Sequence, residues 1–265
     1  MIASIKPTKA LQGAVRAPPS KARTHRALFA GLLSKGTTEI HNPLSCDDTY
    51  ATANVVSSLG AKLDCGTERW SIRGVGKLSA PRGIIDCGES GVTLRFTVPI
   101  SSLLDDDVRL RGREGLIRRP LRPLVDAMGQ LGIRVDVDEF EVRVHAGPAK
   151  GGRVQIPGNV SSQFISGLLF AGPLMIEGLR IEVTSHLESR GYVSVTIEEL
   201  KRHTIAVETN SDMSFFSISP HQIYRPAQHL IPGDYSSAAF LMAAAAVTRS
   251  RVIITGLPEQ SEDPD

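Results

Sequence analysis

Lys21 and Arg26 flank Thr24 and His25 at the start of an apolar run, PPSKARTHRALFAGLL. A helix N-terminus already carries a positive partial charge, so two cations there are unfavourable unless an anion joins them. A solvated basic turn is the competing explanation. Ser161 and Ser162 open a second run of the same kind, PGNVSSQFISGLLFAG. Their hydroxyls, added to the amides of Gly158 to Val160, suit a phosphate or carboxylate, although a serine in this place also serves as a plain N-cap. The stretch RGREGLIRRPLR carries five arginines, Arg111, Arg113, Arg118, Arg119 and Arg122. Pro120 fits the first helical position and leaves Arg118 and Arg119 in the preceding loop, where paired guanidiniums suit bidentate capture of an oxyanion. A solvated basic face is again the alternative. Asp234 precedes a further run, PGDYSSAAFLMAAAAV, where the sister motif has Asn159. It reads either as an N-cap or as an acid/base group facing the anion held by the basic turns.

These groups recur because the chain repeats. The runs PPSKARTHRALFAGLL, CGESGVTLRFTVPISSLL, PGNVSSQFISGLLFAG and PGDYSSAAFLMAAAAV lead with Ser20, Ser90, Ser161 and Ser236, spaced 70, 71 and 75 residues apart. Three amphipathic helices beginning at Asp48, Pro120 and Tyr192 keep a period of 72, and the first two end in Leu59-Gly60 and Leu131-Gly132, a helix-stop signal. Alternating runs such as TTEIHN, KLDC, WSIRG, IRVDV, EVRVHA, LRIEVTS and IAVET read as strands. Each unit is then strand, turn, helix, strand, helix, strand, strand: an α/β plan. Three units are expected within residues 14–227. Residues 1–13 and 228–265 are expected to form part of a second, split domain, since the fourth unit stops after one helix and one strand.

A chain of 265 residues suffices for one or two domains, and its 41% hydrophobic fraction is ordinary for a folded protein. A net charge of +2 and 5% aromatic residues disfavour a nucleic-acid binder. Cys46, Cys65 and Cys87 form no metal pair and no disulfide framework, which fits a reducing compartment. The seven histidines show no metal-ligand spacing and read as structural, and there is neither a Walker A motif, nor a G-x-G-x-x-G turn, nor a G-x-S-x-G elbow. No secretory signal opens the chain, and the longest apolar run, Ala238 to Val247, is about half a bilayer span. The residues alone therefore point to a soluble, cytoplasmic α/β repeat protein with a cationic cleft for small anions.

The stretches PPSKARTHRALFAGLL, NPLSCDDTYATANVVSSLGA, GESGVTLRF, RRPLRPLVDAMGQLG, SSQFISGLL, SRGYVSVT and PGDYSSAAF run in order along nearly the whole chain and resemble the 5-enolpyruvylshikimate-3-phosphate (EPSP) synthase family. The resemblance implies an inside-out α/β barrel-like domain of three βαβαββ repeats, plus the start of a second similar domain. It implies a cytoplasmic monomer that needs no cofactor or metal. The implied activity is transfer of the enolpyruvyl group of phosphoenolpyruvate to the 5-hydroxyl of shikimate 3-phosphate, releasing phosphate. By motif position, Arg26 meets the shikimate carboxylate. Ser161, Ser162 and Ser189 surround its phosphate, Gln163 and Tyr192 lie against its ring, and Asp234 exchanges a proton with the 5-hydroxyl. Lys21 touches both substrates and, with Asp234, is the implied catalytic group. Gly91, Arg119 and Gln163 line the phosphoenolpyruvate site. Ala22 replaces a serine that many members carry there. A sister family acting on UDP-N-acetylglucosamine shares the fold, but its reactive cysteine has no counterpart between Ser101 and Leu116. The alternative for this chain is a catalytically incomplete fragment that binds only shikimate 3-phosphate.

Overall fold

The structure, a computed structural model, describes residues 9–259 apart from Arg82 and Phe140. The expected terminal pieces 1–8 and 260–265 lie outside the described residues. In chain order the elements are β1 (Gln12–Arg16), α1 (Lys21–Leu33), β2 (Lys35–His41), α2 (Asp47–Ser58), β3 (Lys62–Cys65) and β4 (Arg69–Val75). There follow β5 (Ile85–Asp86), α3 (Gly91–Ser101), β6 (Val108–Arg111), the single turn α4 (Glu114–Ile117), α5 (Arg122–Gln130), β7 (Val135–Val137) and β8 (Glu141–Val144). The third unit holds β9 (Gly152–Ile156), α6 (Ser162–Ala171), β10 (Leu179–Val183), α7 (Arg190–Arg202), β11 (Glu208–Thr209) and β12 (Phe215–Ile218). Last come β13 (Gln228–Leu230), α8 (Tyr235–Val247) and β14 (Arg251–Thr255).

The strands form three four-stranded sheets of one topology, β13-β2-β4-β3, β5-β6-β8-β7 and β9-β10-β12-β11, and a two-stranded parallel pair, β1-β14. In each large sheet the first two strands are parallel and the remaining pairs antiparallel. Gly60 and Gly132 adopt φ of +110° and +75°, the left-handed geometry that ends α2 and α5.

The pairing departs from the expected units at two points. β1, which straddles the expected boundary at residue 13, leaves the first unit and lies along β14, with Gln12 opposite Arg251. Its place beside β2 is taken by β13, with His229 opposite Ile40. Both are short extended segments, and local pattern carries no information about which distant strand each will join. The two connections cross through an isolated bridge, Pro19 to Gly233, tied by Ser20 N to Pro232 O at 2.8 Å and Asp234 N to Pro18 O at 2.8 Å. Pro120 is a second correction: it lies in the loop between α4, whose C-cap is Arg118, and α5, which begins at Arg122 after the cap Leu121.

The core is continuous across all three units. At its centre α1, α3 and α6 bring Phe29, Phe96 and Phe170 into a triangle with centroid separations of 5.5, 6.3 and 5.3 Å. All three rings are fully buried. Gly167 lets α6 approach α3: a Cβ there would lie 2.6 Å from Arg95 O and 3.2 Å from Phe96 Cα. β13 is anchored by a buried chain. His203 Nδ1 donates to Arg225 O at 2.7 Å, so His203 Nε2 accepts from His229 Nε2 at 3.0 Å, and His229 Nδ1 lies 3.0 Å from Glu199 Oε1. Burial, foremost, holds His203 down to about 4 and His25 down to about 3.

Two outcomes follow. Gly167→Ala should lower stability by about 1–3 kcal/mol through overpacking, although helix propensity alone favours alanine by about 1 kcal/mol. A rise in the urea midpoint would contradict the close α3–α6 approach. Acidification should also destabilise. Below the ordinary histidine value of 6.5, His25 and His203 take up protons when unfolded but not when folded, so stability falls with pH. The loss per histidine is about 1.4 kcal/mol per pH unit, or about 2 kcal/mol by pH 5. Equal unfolding free energies at pH 7 and pH 5 would show that these imidazoles are not held neutral.

Candidate anion-binding cleft

One end of the central helices opens into a cleft of about 530 Å³. Its walls come from the beginnings of six helices: Ser20, Lys21, Ala22, His25 and Arg26 of α1, Cys46 capping α2, Val92 of α3, Ser162 and Gln163 of α6, Tyr192 of α7, and Asp234, Ser236, Ser237 and Phe240 of α8, together with Leu44. Of the residues expected from sequence, the cleft gathers Lys21, Arg26, Ser162, Gln163, Tyr192 and Asp234. Helix starts carry unpaired amides and positive dipole ends, so converging them makes a site that favours negative charge.

The serine turns are N-caps in the first three units: Ser20 Oγ accepts from Arg23 N, Ser90 Oγ from Thr93 N and Ser161 Oγ from Gln163 N. In the fourth, Asp234 caps α8, accepting from Ser236 N at 3.1 Å and from Ser237 Oγ at 3.0 Å, so Ser236 sits two residues after the cap and does not lead that helix. The expected amide nest at Gly158 to Val160 is also corrected. Ser185 Oγ, on the neighbouring turn, already accepts from Gly158 N at 2.9 Å and Asn159 N at 3.2 Å. Ser189 stands at the start of α7, exposed, with φ of 54° and no side-chain cap bond.

The cations differ in how firmly they are held. Arg26 is 2% exposed, and its guanidinium donates from Nε to Thr196 Oγ1, from Nη1 to Ala22 O and from Nη2 to Tyr192 O, at 2.8 to 2.9 Å. It also lies 5.4 Å over the Phe96 ring. Such a group is set in one orientation before any ligand arrives. Lys21 is half exposed and pairs with Asp48 Oδ2 at 2.9 Å. An acidic side chain of the neighbouring helix therefore supplies part of the negative charge that the sequence oddity demands.

Beside the cleft lies a second basic cluster. Arg95 Nη1 donates to Gln163 Oε1 at 2.8 Å and to Ser161 Oγ at 3.4 Å, and its guanidinium lies 5.1 Å over the Phe164 ring. Gly91 forms the floor: a Cβ there would meet Arg119 Nη1 at 3.5 Å, Gln163 Oε1 at 3.5 Å and Arg95 Nη1 at 3.7 Å. Burial, and after it the like charge of Arg119, pushes the Arg95 pKa down, and an anion beside the two guanidiniums would offset both effects. The expected residues Gly91, Arg119, Ser161 and Gln163 thus meet around Arg95. Arg95 itself, one helical turn after Gly91, had the spacing to signal this. His25, Asp48 and Ser185 carried no such signal, because their roles arise from contacts between distant segments.

Among the described residues, Glu199, His203 and His229 place metal-type donor atoms within 4.8 Å of one another. They are buried outside the cleft lining, and both His203 nitrogens and His229 Nε2 are used by the chain that anchors β13. No helix among the described residues is long and apolar enough to cross a membrane.

Comparison with known proteins gives this cleft a context. A family model described as EPSP synthase (3-phosphoshikimate 1-carboxyvinyltransferase) matches residues 5–265. The chain is 42% identical over 254 residues to the 3-phosphoshikimate 1-carboxyvinyltransferase of Methanocorpusculum labreanum, covering 93% of this chain and 58% of that one. It is 40% identical over 258 residues to the enzyme of that name from Korarchaeum cryptofilum, covering 96% and 60%. The solved EPSP synthase from Acinetobacter baumannii superposes with a TM-score of 0.80 at 25% identity, over 95% of this chain and 57% of that one. The chain therefore spans about three fifths of the length of the relatives it matches. With the βαβαββ units, the cleft and the match over residues 5–265 in agreement, the chain belongs to the EPSP synthase (3-phosphoshikimate 1-carboxyvinyltransferase) family.

Proposed function

We propose that this chain is the shikimate 3-phosphate-binding part of a cytoplasmic, monomeric enolpyruvyl transferase, in which the enolpyruvyl group of phosphoenolpyruvate passes to the substrate 5-hydroxyl in chorismate biosynthesis. The observation that carries the reading is the convergence of serine-capped helix starts, Arg26 and the Arg95–Arg119 pair on one cleft. Each substrate carries close to three negative charges at neutral pH, and bringing them together needs a preorganised cationic surface.

In this reading Arg26 holds the shikimate carboxylate, and Ser161, Ser162 and Ser189 surround the phosphate. Tyr192 and Gln163 lie against the ring. Lys21 leaves Asp48 to contact both substrates, while Gly91, Arg119 and Gln163, with Arg95, receive phosphoenolpyruvate. The 5-hydroxyl oxygen bonds to C2 of phosphoenolpyruvate while a proton adds to its methylene carbon. Departure of phosphate and loss of a methyl proton then restore the double bond. Asp234 takes the hydroxyl proton. The three-repeat domain runs between the two crossing connections, and β1, α8 and β14 open a second domain, moving the division from residues 13 and 228 to the crossings at 17–19 and 231–234.

Isothermal titration of the 265-residue chain with shikimate 3-phosphate should give saturable binding, weakened as salt screens the cleft. No heat at millimolar ligand would contradict a preformed site. In the full-length protein, Asp234→Asn keeps the helix cap but not the base. It should reduce kcat by at least about a hundredfold while shikimate 3-phosphate affinity stays within about tenfold. Unchanged kcat would remove Asp234 from proton transfer.

A further inference from the structure

His25 is fully buried in the cleft wall, one turn into α1. Its Nδ1 lies 2.7 Å from Thr52 Oγ1 of α2. Thr52 Oγ1 lies 2.6 Å from Thr93 Oγ1 of α3, which donates to Ser90 Oγ at 2.6 Å. Each hydroxyl has one proton to give, and this fixes the direction of the chain. Thr93 donates to Ser90, so Thr52 donates to Thr93, and the ring must donate to Thr52 through Nδ1. The tautomer assigned by this network leaves Nε2 with a bare lone pair. Among the described residues Nε2 has no hydrogen-bond partner.

A buried acceptor without a donor destabilises the free protein, and nothing in the helix packing requires one here. The imidazole is also neutral throughout the physiological range, because burial above all, and Lys21 and Arg26 in addition, oppose its protonation. The cleft wall thus contains a neutral acceptor, covered in the free protein, among groups that are otherwise mostly donors: Lys21, Arg26 and the amides of the helix starts. Carboxylate and phosphate oxygens are acceptors and gain nothing from it. A hydroxyl gains a hydrogen bond.

We infer that His25 Nε2 accepts a hydrogen bond from a ring hydroxyl of the cyclic substrate, so that this residue selects a hydroxylated anion over an anion of equal charge that lacks hydroxyls. The inference rests on the reading of the cleft given above and deepens it, since of the two substrates only shikimate 3-phosphate bears hydroxyl groups. The network from Ser90 through Thr93 and Thr52 is what holds the tautomer. It ties the acceptor to the cap of α3, beside the second basic cluster.

The test compares wild-type protein with His25→Leu and His25→Gln by titration with shikimate 3-phosphate, its analogue lacking the 4- and 5-hydroxyls, and phosphoenolpyruvate. Thermal unfolding of each free protein is followed alongside. His25→Leu should weaken shikimate 3-phosphate binding about tenfold, as expected for loss of one hydrogen bond, and change phosphoenolpyruvate or analogue binding by less than about twofold. His25→Gln, which restores an acceptor, should recover part of the preference for the hydroxylated ligand and decides the matter should His25→Leu fail to fold. Equal preference for the two ring ligands in wild type and both variants would overturn the role of His25 alone. Failure of wild type to bind shikimate 3-phosphate would instead overturn the reading of the cleft, and this inference with it.

Discussion

Three buried helices that start at the same place constrain everything else in this molecule. α1, α3 and α6 pack through Phe29, Phe96 and Phe170, and Gly167 brings two of their backbones close. Dispersion and burial hold the helices together along their length. Because all three begin at the cleft, that packing also sums their dipole ends and uncapped amides at one point. Core and site are therefore a single arrangement. A shift in helix packing would move the anion-binding groups with it, and the outer sheets fix which way each helix runs.

The strand exchange adds a second constraint. β1 and β13 change places, so the chain crosses itself at Pro18-Pro19 and Pro232-Gly233. The crossing is short and rigid: two prolines on one side, one on the other, joined by backbone hydrogen bonds in both directions. It places Asp234 at the head of α8 against the start of α1, and so a carboxylate beside Lys21 and Arg26 in one cleft wall. The buried chain from Glu199 through His229 and His203 to Arg225 O locks β13 where the first unit needs a strand. Much of the geometry of the cleft depends on this one distant strand.

Much of this was legible in the residues. The period of 72, the serine turns and the glycine stops arise from local chemistry repeated three times. Local rules of capping and patterning therefore find the elements, as Gly60, Gly132 and the caps Ser20, Ser90 and Ser161 show. The departures concern partners, apart from one helix boundary. A strand of three to five residues has no local signal for its neighbour, so nothing in residues 228–230 told that β13 would join β2 and not the second-domain pieces. The nest at Gly158 looks open in the sequence because Ser185, which fills it, is 27 residues away. Pro120 stands two residues ahead of α5, whose cap is Leu121 and whose second residue, Pro123, takes the early helical proline position instead. The family motifs supplied a grouping of Lys21, Arg26, Ser162, Gln163, Tyr192 and Asp234 that spacing alone could not. The pairing of Lys21 with Asp48 and the bare nitrogen of His25 needed three dimensions.

In the proposed function, converging helix starts form an anion site shaped for shikimate 3-phosphate. A crystal structure of this chain grown with that ligand tests it most directly. The predicted result is density in the cleft with the carboxylate on Arg26, the phosphate among Ser161, Ser162 and Ser189, and a ring hydroxyl within hydrogen-bond distance of His25 Nε2. Ligand bound outside the cleft, or lying in it with its phosphate away from those serines, would contradict the claim.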